Sequence, residues 1–281
     1  MTIQINNPLP REPRNMKVLS AGKTDIGLQR AINEDSFLMA PDLGLYIVAD
    51  GIGGRKAGDV ASRMVVESME RYWRKVEGGT PPAFLQTIEK DISEGAQHLI
   101  NSISLTNTMI HEAQSRPQYD MMGSTLSALL VEEDCMWAAN VGDSRTYLFY
   151  QARLVQISEE HSFETQHMTP GIGDPHDRDR SSFKKILTRA LGLKEKVDVF
   201  LIPIHPEAGD IILMCSAGLT NYLSDKSISA ILDDFSLSLV RKVDVLIDEA
   251  KRAGGGDNIT VILLQVMEEK KLGKFKKRLR L

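Results

Sequence analysis

The order in which hydrophobic periodicities follow one another constrains this chain most. Strand-length apolar runs come first, then two long stretches of helical spacing, then more strands, two shorter helical stretches and a last strand. Runs segregated in this way argue for antiparallel α+β layering and against βαβ alternation. Met16–Lys23 reads as a strand and Asp25-Ile26-Gly27 as a turn, with Ser36–Met39 and Leu43–Ala49 a hairpin around Pro41-Asp42. Ala61, Met64, Val65, Ser68, Met69, Tyr72, Trp73 and Val76 share one face of a helix over about 57–76. Gly78-Gly79-Thr80-Pro81-Pro82 stops it and starts a second helix, over about 82–114, with Leu85, Ile88, Ile92, Ala96, Leu99, Ile103, Thr106 and Ile110 as its stripe. Two long antiparallel helices joined by a short loop are predicted to lie as a layer on the sheet.

Strands return at Ser124–Val131, Cys135–Val141 and Arg145–Tyr150, with a tight turn at Gln151-Ala152-Arg153 into Leu154-Val155. Residues 158–182 are polar and rich in proline and glycine, and read as a long surface loop or flap. Ile186-Leu187, Val197–Ile202 and Asp210–Cys215 read as further strands. Helices are expected near Ser224–Asp233 and Leu237–Ala253, and Ile259–Val266 is the last strand. Residues 1–15 form a polar, proline-bearing tail without the apolar core of a signal peptide.

No apolar run approaches the ~18 residues of a membrane span. Cys135 and Cys215 each lie in an apolar strand-like run, which favours buried packing over a disulfide or zinc site and suits a cytoplasmic setting. The formal net charge of −4 hides an asymmetry, because residues 270–281 carry seven Lys and Arg and no acid, which leaves the rest at −11. An acidic body argues against a nucleic-acid partner and suits a protein that gathers carboxylates around hard cations. Leu272, Phe275 and Leu279 space the basic tail as an amphipathic helix, so two readings of it are open: contact with a membrane or a partner, or a solvated tail, the simpler of the two.

Chemistry concentrates first at Asp50-Gly51-Ile52-Gly53-Gly54, which follows a buried strand and precedes a helix. Such a turn holds a metal or a phosphate; alternatively Asp50 is a turn former and helix cap, with the glycines supplying positive φ. Neither nucleotide-loop spacing is met. A second acidic turn, Gly256-Asp257-Asn258-Ile259-Thr260, precedes the last strand. Two carboxylates at strand edges, far apart in sequence, are what a shared oxygen-ligand metal site needs.

Seven stretches form one ordered constellation: Arg30-Ala31-Ile32-Asn33-Glu34-Asp35, Asp50-Gly51-Ile52-Gly53-Gly54, Gly123-Ser124-Thr125, Asn140-Val141-Gly142-Asp143-Ser144-Arg145, Leu187-Thr188-Arg189-Ala190-Leu191-Gly192, Cys215-Ser216-Ala217-Gly218-Leu219-Thr220 and Gly256-Asp257-Asn258-Ile259-Thr260. In order and spacing they resemble the metal-dependent (PPM, type 2C) serine/threonine protein phosphatases, the bacterial branch above all, over residues 16–267. The resemblance implies a phosphatase domain over 16–267, between the 1–15 tail and a basic 268–281 tail. It implies a four-layer α-β-β-α sandwich of two antiparallel sheets flanked by helix pairs. Two Mn²⁺ or Mg²⁺ ions would sit at one edge of it, and the substrate would be a phosphoprotein made by a serine/threonine kinase, in signal transduction. By the same resemblance Asp50 would bridge the metals, the Gly51 carbonyl would bind the second, and Asp257 the first. Glu34 and Asp35 would orient metal-bound waters, Arg30 would clamp the phosphate, and Asp143 would help hold a third, weaker ion. Taken singly, Glu34, Asp35 and Asp143 read as solvated turn acids and Arg30 as a surface ion pair.

The pattern breaks at Ala217, where the family carries an aspartate that ligates the first metal. Either this is a natural inactive homologue that binds a phosphorylated partner without turnover, or a single deliberate substitution has been made in an active enzyme. Retention of Arg30, Asp50 and Asp257 favours the second. Either way the first metal should bind poorly and turnover should be slow. His161 reads as a surface histidine or a general acid reaching from the flap, and His167 and His176 lack zinc spacing.

Overall fold

A computed structural model describes residues 16–53, 57–85, 92–133, 135–159 and 189–267. Both tails, Gly54, the Ile186-Leu187 strand, and the flap beyond Glu159 with its three histidines lie outside the described residues. Two antiparallel sheets form the centre. The first runs in the order β1 (Lys17–Asp25), β11 (Ile259–Met267), β10 (Ile211–Cys215), β7 (Arg145–Tyr150), β8 (Arg153–Gln156). The second runs β2 (Asp35–Ala40), β3 (Leu45–Ile52), β5 (Leu126–Val131), β6 (Met136–Val141), β9 (Phe200–Ile204), and the short β4 (Gly123–Ser124) pairs with the end of β3.

Strand alternation sorts side chains into layers. On β3, Leu45, Ile47 and Ala49 face α1 (Gly58–Glu77) and α2 (Glu94–Ala113), whereas Tyr46 and Val48 face the other sheet. On β10 and β11, Leu213, Val261 and Leu263 pack on the helices α3 (Ala217–Thr220), α4 (Asp225–Asp233) and α5 (Leu239–Arg252), while Met214, Ile262 and Leu264 meet Tyr46 and Val48 between the sheets. The result is the four-layer α-β-β-α sandwich. Cys135 and Cys215 are buried thiols that form no disulfide, and burial pushes the Cys215 thiol up to about 12.

The second helix begins later than its stripe suggested. Residues 82–85 are not helical, and α2 opens at Glu94, where Ser93 Oγ accepts the Ala96 N–H at 3.1 Å. Asn101 instead takes up the preceding backbone, accepting the Leu85 N–H and donating to the Ala83 carbonyl, so Leu85 stays exposed and the α1–α2 connection is long. The four-residue α3 and a 3₁₀ turn at Pro117–Tyr119 carry too few residues to show a period. The 124–131 strand is two pieces, and the 197–202 strand lies later, at Phe200–Ile204.

Candidate active site at the mouth of the sandwich

Followed toward one end of the sandwich, the layer between the sheets changes chemistry. Past Leu129, Met214 and Ile262 the same strand faces carry hydroxyls. Ser127 and Thr146 bond across the sheets at 2.7 Å, Thr125 bonds Ser144 at 2.6 Å, and Thr24 bonds Thr260 at 2.7 Å. One step further out come carboxylates. Asp50 follows Tyr46 and Val48 on the same face of β3, so it points between the sheets and is not a helix cap. The residue preceding α1 is Ala57, with no side-chain cap.

Asp35 lies directly opposite Asp50 in the β2–β3 register. Its Oδ2 accepts hydrogen bonds from Ser216 Oγ at 2.8 Å and Thr260 Oγ1 at 2.6 Å. Its Oδ1 is buried and meets no donor among the described residues. The Asp50 backbone is fixed from the far side, donating to Thr125 Oγ1 at 3.0 Å and accepting the Thr125 N–H at 2.8 Å. Gly51 donates to the Glu34 carbonyl, and a Cβ there would lie 2.0 Å from the Gly58 carbonyl, so only glycine lets α1 close on the strand. The Glu34 carboxylate lies against Gly58, the first residue of α1, and takes a hydrogen bond from its backbone, where a helix N-terminus favours negative charge. Asp143 is buried in the β6–β7 turn, which Gly142 makes at φ +102° with Thr125 packed against it.

Arg30 Nη2 pairs with Asp257 Oδ1 at 2.9 Å. Ala217 is buried at the start of α3, next to the Ser216 that holds Asp35. The fold thus gathers Arg30, Glu34, Asp35, Asp50, Gly51, Asp143, Ala217 and Asp257 at one end. Sequence reasoning left out the groups that hold them. Ser216, Thr260 and Thr125 lay inside the motifs, and so did Asn258, whose amide bonds Glu34, Ile26 and Ile32.

The electrostatics show a shortage of positive charge. Burial, then Asp35, Asp143 and Asp257, hold the Asp50 carboxyl well above the usual carboxylate range, against the pull of Arg30. Burial raises Asp35 as well, opposed by the Thr260 and Ser216 hydroxyls. Burial raises Glu34, with Arg30 opposing. Among the described residues the carboxylates at the mouth offer hard oxygens, and Asp35 Oδ1 has an unused lone-pair site, so the residues present fit an oxygen-seeking divalent cation. Among the described residues no three acid, histidine or cysteine side chains close into a ready-made cage, and Mg²⁺-type ions keep several waters and need few protein ligands.

This fold and site define the class. Residues 29–249 match the family model for protein phosphatase 2C, and the chain belongs to that family. It is 35% identical to the serine/threonine phosphatase stp of Listeria welshimeri over 247 residues, 86% of this chain and 94% of that one. Among solved structures it is similar to the serine/threonine phosphatase of S. agalactiae, with TM-score 0.75 and 30% identity, covering 90% of this chain and 100% of that one. It is also similar to the catalytic domain of the phosphatase PstP in complex with two manganese ions, with TM-score 0.70 and 28% identity, covering 90% of this chain and 100% of that one. No helix among the described residues is long and apolar enough to cross a membrane.

Proposed function

We propose that this chain is built as a Mn²⁺- or Mg²⁺-dependent phosphatase of phosphoserine and phosphothreonine in proteins, opposing a serine/threonine kinase, and that Ala217 lowers its turnover. One observation carries the reading: carboxylates from β2, β3, the β6–β7 turn and the approach to β11 meet one arginine at a single mouth. Asp50, the Gly51 carbonyl and Asp257 would hold the ions, with Asp143 toward a third. When bound, such ions activate water and neutralise phosphoryl oxygens. The protein groups do the rest. Asp35, fixed by Ser216 and Thr260, and Glu34, fixed by Gly58, accept hydrogen bonds from water and orient it. Arg30, half-exposed and anchored beside Asp257, presents a planar fork to a phosphate.

Ala217 favours a second reading, a phosphoprotein-binding homologue without turnover, because its methyl offers no oxygen where the family has a carboxylate. Hydrolysis of a small aryl phosphate by this chain and by Ala217→Asp, with and without Mn²⁺, separates the two. Restoration by about a hundredfold, roughly 2.7 kcal/mol of barrier, supports the enzyme. A revertant inert at saturating Mn²⁺ on several phosphopeptides supports the binding module.

A further inference from the structure

We infer that Asn258 is a positioning residue, whose side-chain amide sets where the 26–34 loop presents Arg30 and so how tightly a phosphate is held. The inference rests on the phosphatase reading for its meaning, though not for its geometry. Asn258 is buried and uses its whole amide on one loop. Its Oδ1 accepts the Glu34 N–H at 2.8 Å, and its Nδ2 donates to the Ile26 carbonyl at 2.9 Å and the Ile32 carbonyl at 3.1 Å. Both ends of the loop are therefore tied to one side chain 224 to 232 residues away in sequence.

The tip of Arg30 is tied to the same place. Asp257 Oδ1 accepts both the Arg30 guanidinium and the Asn258 N–H, each at 2.9 Å. The loop is also pressed onto the 255–257 turn. Leu28 donates to the Gly255 carbonyl at 2.7 Å, and Gly27, at φ +78°, leaves no room for a side chain, since a Cβ would lie 2.1 Å from the Asp257 carbonyl. Only an amide of this length supplies one acceptor and two donors at a single point: aspartate has no donor there when ionised, and glutamine reaches too far. Asn258 thus joins a carboxylate proposed for metal to an arginine proposed for phosphate.

The experiment has two arms. In the first, amide hydrogen exchange is followed in the full chain and in its Asn258→Ala and Asn258→Asp variants. The aspartate keeps the shape and the acceptor for Glu34 but repels the two carbonyls. The Leu28 amide, bonded to Gly255 and not to Asn258, should exchange about tenfold faster or more while β3 and β5 amides hold. In the second arm, phosphopeptide kinetics are measured with Mn²⁺ in the Ala217→Asp background. Asn258→Asp should raise KM about tenfold with kcat within about twofold, and should add less than about twofold to KM once Arg30 is alanine. Unchanged Leu28 exchange, or a KM effect that persists undiminished in Arg30→Ala, overturns the inference. An inert Ala217→Asp parent with faster Leu28 exchange would count against the phosphatase reading and still support the positioning of the loop.

Discussion

At the scale of single residues, charge placement decides behaviour. Arg30→Ala in an Ala217→Asp background should raise KM for a phosphopeptide about tenfold or more, because the proposed bidentate partner of the phosphate is lost; steady-state kinetics at saturating Mn²⁺ would show it. A KM and kcat both unmoved would leave Arg30 as the surface partner of Asp257. Asp25 makes a prediction about pH. Burial works to raise its pKa, but the Lys251 ammonium at 2.8 Å and the Gly27 N–H outweigh burial and hold the carboxyl below its ordinary value of 3.8. A depressed folded pKa means stability that is present above 3.8 and lost as pH falls through the lower folded value. The stability gap between the parent and Asp25→Asn, on the order of 1 kcal/mol near neutrality, should therefore close in acid, as urea melts at stepped pH would show. Asp50 and Asp257 are legible because acids beside glycines at strand ends stand out in a sequence, whereas Arg30, Glu34, Asp35 and Asp143 are singled out only by the family resemblance. Ser216, Thr260 and Asn258 were not legible, because a hydroxyl or amide acquires its task only from the neighbour that folding brings to it.

At the scale of elements, most strand and helix ends fall within about three residues of expectation, and the start of α2 does not. Arg145–Tyr150 falls where its alternation put it, and the 210–215 and 259–266 strands differ from expectation by one residue. The start of α2 was misread because Ile88, Ile92 and Leu99 keep a helical period while Ser93, as N-cap, sets the boundary locally. The four residues of α3 gave no period at all, yet their placement is among the tightest in the molecule. A Cβ on Gly218 would lie 1.8 Å from the Asn258 carbonyl. Gly218→Ala should therefore push α3 off the β11 approach and cost upward of about 2 kcal/mol, in the range of local strain and overpacking, read from denaturant midpoints. A neutral Gly218→Ala would mean that α3 can shift freely. That would weaken the claim that Ser216 holds Asp35 rigidly.

At the scale of the whole molecule, stability and site depend on the same contact between the sheets. Leu129, fully buried, packs there with Tyr46, Met136, Met214 and Ile262. Leu129→Ala should cost about 2–5 kcal/mol by calorimetry or urea melt, the ordinary cost of a core cavity. It should also loosen the mouth, because β5 carries Ser127 one step toward it. The passage from apolar side chains to a carboxylate along one face of β3 has a further consequence. Asp50 and Val48 share a phase, and Ala49 holds the opposite one against α1. Slipping β3 by one residue would swing the acid among the apolar side chains of the helix layer and leave a methyl at the mouth. A chain paired out of phase would thus lose its interior and its chemistry together. Every molecule that passes the test of burying its aliphatic side chains therefore arrives with Asp35 and Asp50 already face to face.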